Sequence, residues 1–342
     1  MWQIVGQSRA VSLLQRSLEQ GAISHAYLLV GPPHVGKMTL ALDLARVVNC
    51  RGDEPPCSAC DACQKITSGN HADVQVIGLN SAGNSNDKLR TEIGIDQIRE
   101  IQHSSNLPPF EGRSKVFIIG GAELMSTEAA NCLLKTLEEP PAGVIFVLLT
   151  ADESVLPATV VSRCQRLELR PLATSQVGVA LSERWGVEAQ KAGLLARLSH
   201  GCLGWAISAA DDDSLLEQRS QRLDKLLDIT SADYEERFDY VNQLVTWFSQ
   251  SRSLVQEILD LWLDWWRDLL LFKLGCGDGI TNIDRQDLLV GLAQGYSLAE
   301  MRAFISGIQS AGEQLMQNAN PRLVLEVLML SIPERRAVVN YG

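Results

Sequence analysis

The sequence predicts an α/β domain at the amino end of the chain and helical segments after it. Within the first 165 residues, short and fully apolar runs alternate with helical stretches, a pattern typical of a parallel sheet covered on both faces. These runs are residues 26–30, 74–77, 115–119 and 144–149. From residue 215 to 335, apolar residues recur at helical spacing almost throughout, which predicts a helical bundle.

Length and composition limit the class of protein. The chain has 342 residues, of which 46% are hydrophobic and 21% charged, so it can bury a large core. No run reaches the roughly 20 apolar residues of a membrane helix, and the amino end lacks a signal-peptide pattern. We therefore expect a cytoplasmic protein without membrane contact. The net charge of −11 argues against strong, independent binding to nucleic acid.

The domain organisation follows from where the strand pattern ends. Residues 1–170 carry the strands, whereas residues 171–213 read as a small helical domain that closes on the acidic run beginning at Asp211. Residues 214–342 form the third, all-helical domain. Within it, the three tryptophans of residues 262–266 stand at helical spacing, which favours a core position over a partner surface.

A glycine-rich phosphate loop follows the first apolar run. It reads Gly-Pro-Pro-His-Val-Gly-Lys from Gly31 to Lys37, and residues 39–45 continue as a helix. In this strand, loop and helix arrangement, backbone N–H groups face the phosphates of a nucleotide and the lysine neutralises them. The sequence therefore predicts a nucleotide site that includes Gly31, Gly36 and Lys37.

The residue after the loop lysine is Met38, where a serine or threonine is expected. A methionine thioether is a soft ligand and cannot replace the hydroxyl that binds the hard magnesium ion. Thr39 belongs to the same candidate site, but one further residue along a helix turns its hydroxyl by about 100°. We therefore expect no magnesium here, and whether ATP or ADP binds is left open.

The third apolar run also lacks its expected acidic residues. An aspartate and a glutamate should follow it to serve the magnesium and the attacking water, but the chain continues with Gly120 and Gly121. Glu123 stands further on and is interpreted as a surface helix residue. Hydrolysis of a bound nucleotide by this chain is therefore not expected.

Four cysteines lie within fourteen residues: Cys50, Cys57, Cys60 and Cys63. Thiolates at such short spacing can converge on one tetrahedral zinc ion with no open position, as in structural zinc sites. An iron–sulfur cluster is the alternative, but the bacterial ferredoxin spacing continues into a further cysteine and proline that this segment lacks. We predict a structural zinc module at residues 50–63 that interrupts the first helix of the nucleotide domain.

Together these motifs resemble the delta-prime subunits of bacterial DNA polymerase III clamp loaders, a family of AAA+ proteins. The likeness spans nearly the whole chain. It rests on the phosphate loop, the four cysteines and five further segments: residues 4–7, 95–99, 129–141, 162–164 and 318–322. The resemblance implies an AAA+ domain with a zinc-binding insertion, a small helical lid and an all-helical collar that holds the subunits of a ring together.

The resemblance also implies the roles of individual residues. Arg163, in the motif Ser-Arg-Cys, is expected to reach the ATP site of the neighbouring subunit as an arginine finger, and its alternative is an ion pair with a local carboxylate such as Glu168. Thr150 matches the polar sensor of the family's ATPases, although a strand-end hydroxyl is the plainer interpretation. Gly204 stands where the lid of those ATPases carries a sensing arginine.

The function implied is that of a non-hydrolysing stator during the loading of the sliding clamp onto primed DNA. Its partners would be the gamma/tau ATPase subunits, the delta subunit, primer-template DNA and, indirectly, the sliding clamp. The chain would then belong to a DNA-directed DNA polymerase holoenzyme without ATPase or polymerase activity of its own. An active gamma/tau-type ATPase, or another AAA+ ATPase, is the alternative that Lys37 supports. A zinc-dependent DNA-binding module is a weaker one, against which the net charge speaks.

Overall fold

The structure, a computed structural model, describes residues 2–79 and 92–335. The chain forms two compact units: a sheet unit of residues 1–180 and 200–205, and a helical unit of residues 181–199 and 206–342. The division into three domains stays a prediction, and residues 1, 80–91 and 336–342 of its first and last domains lie outside the described residues. None of the helices in the described ranges has the length and apolar character of a membrane span.

Five parallel strands form the sheet of the sheet unit, which confirms the predicted α/β fold. Their order across the sheet is β2-β3-β4-β1-β5. The register places Val30, at the end of β1, opposite both Thr150 and Glu168, so the carboxyl ends of three strands meet at one edge. The strands are β1 Ala26–Val30, β2 Val74–Ile77, β3 Lys115–Gly120, β4 Val144–Thr150 and β5 Gln165–Glu168.

The edge strand β5 was not among the strands predicted. Its sequence, Gln-Arg-Leu-Glu, has a single apolar residue, and only Leu167 of the strand is buried. An edge strand needs one buried face at most, so it lacks the continuous apolar run that identifies the central strands.

Helices cover both faces of the sheet. Tyr27 and Leu29 of β1 belong to the core on one face, and Leu28 belongs to the core on the other, as alternation along a strand requires. On that second face, the rings of Phe117 and Phe146 stack at 5.4 Å between centroids. The helices are α1 Ser8–Glu19, α2 Lys37–Asn49, α3 Asp61–Thr67, α4 Ile95–Ser105, α5 Thr127–Glu138 and α6 Ala158–Val161.

Beyond the sheet the chain is helical, as predicted. The helices break at the acidic run that begins at Asp211, since α9 ends at Asp211 and α10 begins at Ser214. The three tryptophans of α12 are core residues, with exposed fractions of 2% or less. The helices are α7 Thr174–Trp185, α8 Ala189–Leu198, α9 Leu203–Asp211, α10 Ser214–Ser231, α11 Tyr234–Gln250, α12 Arg252–Lys273, α13 Gln286–Ala293, α14 Leu298–Met316 and α15 Pro321–Leu330.

Candidate functional site

The phosphate loop lies between β1 and α2, as the sequence predicts. The N–H of Gly31 donates to the carbonyl of Thr150 at 3.2 Å, which extends the pairing of β1 with β4 by one residue. Gly36 precedes α2 in the left-handed conformation, with φ 106°. Four of the five predicted nucleotide-site residues, Gly31, Gly36, Lys37 and Thr150, thus share this edge of the sheet, and Thr39 follows in the first turn of α2.

The ammonium of Lys37 is bound by the loop itself. It donates to the carbonyl of Gly31 and, at 2.8 Å, to the carbonyl of Pro32. Burial lowers the pKa of Lys37 below its ordinary value, and the nearby carboxylate of Glu123 acts in the opposite direction. The cation that would neutralise phosphates is therefore engaged with backbone atoms of its own loop.

The interpretation of Glu123 as a surface helix residue is wrong. Glu123 lies in a single 3-10 turn, residues 122–124, after β3, and its Oε1 accepts the N–H of Ala151 at 3.2 Å. Its Oε2 is buried and has no hydrogen-bond partner among residues 2–79 and 92–335. Since β3 and β4 are adjacent and parallel, a residue just past β3 falls at the edge that carries the phosphate loop, which the sequence could have indicated.

The two glycines after β3 differ in the space around them. A Cβ at Gly120 would lie 3.6 Å from the carbonyl of Ile77 and 3.8 Å from Cε of Met38, both ordinary contacts. Gly121 has φ 70° and ψ 49°, a left-handed conformation that disfavours any residue with a Cβ. The local backbone thus suits glycine at 121 and would accept a side chain at 120.

Gly204 contacts the phosphate loop through its backbone. Its N–H donates to the carbonyl of His34 at 2.9 Å, and a Cβ at this position would lie 2.8 Å from the same oxygen. A longer side chain at 204 would require the loop or the start of α9 to move. Gly204, where the resemblance led us to look for a sensing arginine, is thus a close backbone contact of the loop.

The two candidate threonines are placed differently. Thr150 is fully buried at the end of β4, and its hydroxyl donates to the carbonyl of Asp152 at 2.9 Å. That hydroxyl also accepts the N–H of Asp152 at 3.2 Å, so it closes the turn after the strand. Thr39 is half-buried, one residue past Met38. Their roles in nucleotide binding stay predictions.

Arg163 lies on the turn between α6 and β5, with one third of its side chain exposed. Its Nη1 donates to the carbonyl of Thr159 at 2.8 Å, and its Nη2 to Oε1 of Glu138 at 2.5 Å. Next to it, the thiol of Cys164 is largely buried, and burial raises the pKa of that thiol to about 12. The partly buried Cys164 packs against the core of the sheet unit, while the guanidinium keeps a third of its side chain in solvent.

The prediction that Glu168 is the alternative, local partner of Arg163 is wrong. Glu168 accepts from Nε of Arg170 at 2.9 Å and from Nη1 of Arg166 at 3.5 Å, whereas Arg163 pairs with Glu138. The reason is geometric: Glu138 ends α5, which packs against α6, although 25 residues separate the two partners in sequence.

The four predicted metal ligands come together. The Sγ atoms of Cys50, Cys57, Cys60 and Cys63 all lie within 4.8 Å of one another. Cys50 follows the last turn of α2, and Cys63 lies in α3, so two helices hold the ends of the cluster. Four sulfur donors at this separation suit a tetrahedral ion such as zinc, and the segment can hold such a metal.

Backbone N–H groups point at the sulfurs, as thiolate ligands require. Gly52 and Cys57 donate to Sγ of Cys50 at 3.4 Å each, and Cys60 donates to Sγ of Cys57 at 3.3 Å. Backbone N–H donors lower the pKa of Cys57 to about 6, whereas burial raises the pKa of Cys63 to about 12. The exposed side of the cluster thus favours thiolate, and the buried side needs a compensating charge.

A buried ion pair of α2, the helix that precedes Cys50, was not found by sequence reasoning. Asp43 and Arg46 of α2 pair with each other, and both are about 1% exposed or less. Asp43 also accepts the N–H groups of Gln3 and Ile4, at 2.8 and 2.9 Å. Two oppositely charged residues three positions apart on a helix are ordinarily interpreted as surface residues. Only the apolar sequence around Asp43 and Arg46 could have indicated that this pair is buried.

Curated relatives of the chain are DNA polymerase III subunits. It is 30% identical to the subunit delta' of Bacillus subtilis over 96% of each chain, and 30% identical to that of Escherichia coli, covering 93% of this chain and 92% of the relative. It is also 27% identical to the B. subtilis subunit tau, covering 96% of this chain but only 60% of tau. The delta' subunits thus match the chain over more than nine tenths of both lengths, whereas tau extends well beyond the matched part.

Family models cover both parts of the chain. One described as DNA polymerase III, delta subunit, matches residues 6–173, and one described as its C-terminal part matches residues 213–334. Among solved structures, a gamma subunit-related protein of DNA polymerase III from Thermotoga maritima is 20% identical, with a TM-score of 0.46, and covers 94% of this chain and 98% of its own. The assignment to a family therefore depends on the relatives in sequence and not on this structure. The chain belongs to the delta' family of DNA polymerase III subunits.

Proposed function

We propose that the chain is the non-hydrolysing stator of a DNA polymerase III clamp loader and completes the ATP site of a neighbouring gamma/tau subunit with Arg163. Its further partners are the delta subunit, primer-template DNA and, through the complex, the sliding clamp. The observation that carries the proposal is the partly exposed guanidinium of Arg163 on a turn anchored by Cys164. Such a cation can reach an adjacent subunit without any change in its own fold.

The chain's own nucleotide site also supports the proposal of a non-hydrolysing subunit. Lys37 is engaged with loop carbonyls, Met38 offers no oxygen ligand, and Gly204 closes against the loop backbone. Magnesium and hydrolysis need a hydroxyl and carboxylates that these positions lack. The chain therefore contributes structure and an arginine to a polymerase holoenzyme and has no ATPase or polymerase activity of its own.

Zinc is the metal that the cysteine cluster holds under this proposal. Cys50, Cys57, Cys60 and Cys63 supply four sulfur ligands and leave no open position, so the ion ties the end of α2 to α3 and takes part in no reaction. The complex works in the cytoplasm, where DNA is replicated.

The arginine assignment is tested in a clamp loader reconstituted with its gamma/tau and delta partners. An arginine finger supplied by a neighbour contributes about 10³- to 10⁵-fold to hydrolysis. Arg163→Ala is therefore expected to lower hydrolysis at the site that it completes by about 10³-fold or more, and to slow clamp loading. The matched control is Arg166→Ala, which removes an arginine of β5 paired with Glu153. Normal activity of the Arg163→Ala complex contradicts the proposal.

Two observations favour the alternative of a gamma/tau-type ATPase: the phosphate loop retains its lysine, and tau of B. subtilis is a relative over 96% of this chain. That alternative requires turnover that depends on Lys37, whereas the stator requires none.

A further inference from the structure

Arg46 is a buried arginine with unused hydrogen-bonding groups. Its exposed fraction is 1%, and one of its terminal nitrogens, Nη2, pairs with Asp43. Its Nε and Nη1 are buried and have no hydrogen-bond partner in the part of the chain that the structure describes. Leaving charged donors unpaired in a protein interior is costly unless a negative charge lies nearby.

The cysteine cluster supplies such a charge when it holds a metal. Four thiolates around a divalent ion carry a net charge of about −2, because each sulfur is deprotonated. Two of the ligands, Cys50 and Cys63, are 1% and 0% exposed, so this charge is largely shielded from water. Arg46 stands one helical turn before Cys50, the residue that follows α2, so the two side chains lie on the same side of that helix. Burial lowers the pKa of Arg46, and the charge of Cys63 acts in the opposite direction.

We propose that Arg46 is the charge partner of the metal-loaded cysteine cluster. Its guanidinium offsets the negative charge on the buried side of the cluster, and Asp43 holds that guanidinium in position from α2. Asp43 in turn is fixed by the N–H groups of Gln3 and Ile4. The proposal rests on the proposed zinc binding and gives Arg46 an electrostatic role at that site.

The test compares zinc affinity among purified full-length variants by competition with a chelator, after circular dichroism has verified their secondary structure. Residues around a metal site typically change its affinity by about 10- to 100-fold when they are removed. Arg46→Gln, which keeps a hydrogen-bonding side chain without charge, is expected to weaken zinc binding by that factor. Arg46→Lys, which keeps the charge, is expected to stay close to wild type. The control Arg16→Gln removes an exposed arginine of α1.

The outcomes separate this proposal from zinc binding itself. A wild-type protein that holds no zinc contradicts the metal assignment, whereas a folded Arg46→Gln variant with wild-type zinc affinity overturns the role of Arg46 alone. If Arg46→Gln does not fold, Asp43→Asn carries the test. Removing that carboxylate releases the guanidinium that it holds in position, so zinc binding should weaken although Arg46 itself is unchanged. Wild-type zinc affinity of folded Asp43→Asn contradicts the proposal.

Discussion

The phosphate loop and the turn at residues 162–164 each present one cation, and the two cations are held in opposite ways. Lys37 donates to two carbonyls of its own loop and lies beside the carboxylate of Glu123. Arg163 is held by one carbonyl and one exposed carboxylate, that of Glu138, and keeps a third of its side chain in solvent. Both belong to the sheet unit, and the contrast lies in the contacts of the side chains.

This contrast separates two uses of a nucleotide-binding fold. A cation that donates to carbonyls of its own loop is positioned for a ligand of that loop, whereas a cation on a surface turn can serve a site in another chain. Exposed ion pairs contribute only about 0–1 kcal/mol, so Glu138 holds Arg163 weakly enough for a phosphate to replace it. The position of Arg163 on a surface turn therefore suits a subunit whose arginine acts in the site of a neighbouring subunit.

The largest expected effect on hydrolysis comes from exchanging the charges of Arg163 and Glu138. The double variant Arg163→Glu, Glu138→Arg can retain the ion pair but moves the cation from the turn to the end of α5. If Arg163 acts as a finger, hydrolysis at the neighbouring site stays reduced by about 10³-fold or more in the assembled complex. Recovery of wild-type hydrolysis would show instead that the ion pair alone matters.

A smaller effect is expected where β3 ends. Gly121→Glu places a side chain in a left-handed conformation with its Cβ 3.1 Å from Leu124, and should lower the free energy of unfolding by about 1–2 kcal/mol. Gly120→Asp is the matched variant, and its Cβ meets only ordinary contacts, so its cost should stay below about 1 kcal/mol. Denaturant unfolding of both variants measures the difference, and equal stabilities would contradict this account of the two glycines.

Much of the sheet unit could be predicted, because its central strands are continuous apolar runs and the cysteines are close in sequence. The edge strand β5 could not, since only Leu167 of its residues is buried. The partner of Arg163 was missed because Glu138 comes near it only through helix packing. For the same reason the burial of Asp43 and Arg46 was not recognised, as it depends on contacts between elements. Glu123 differs, since its position just past β3 could have indicated its place at the edge of the sheet.

The central claim is that this chain does not hydrolyse nucleotide in its own loop, and turnover by the isolated protein tests it most directly. Phosphate release from ATP is measured for the wild type and for Lys37→Met, with and without primed DNA. We expect both proteins to remain at the background rate, because Met38 supplies no hydroxyl for magnesium and Lys37 is engaged by carbonyls of its own loop. Steady release by the wild type that Lys37→Met abolishes would contradict the account.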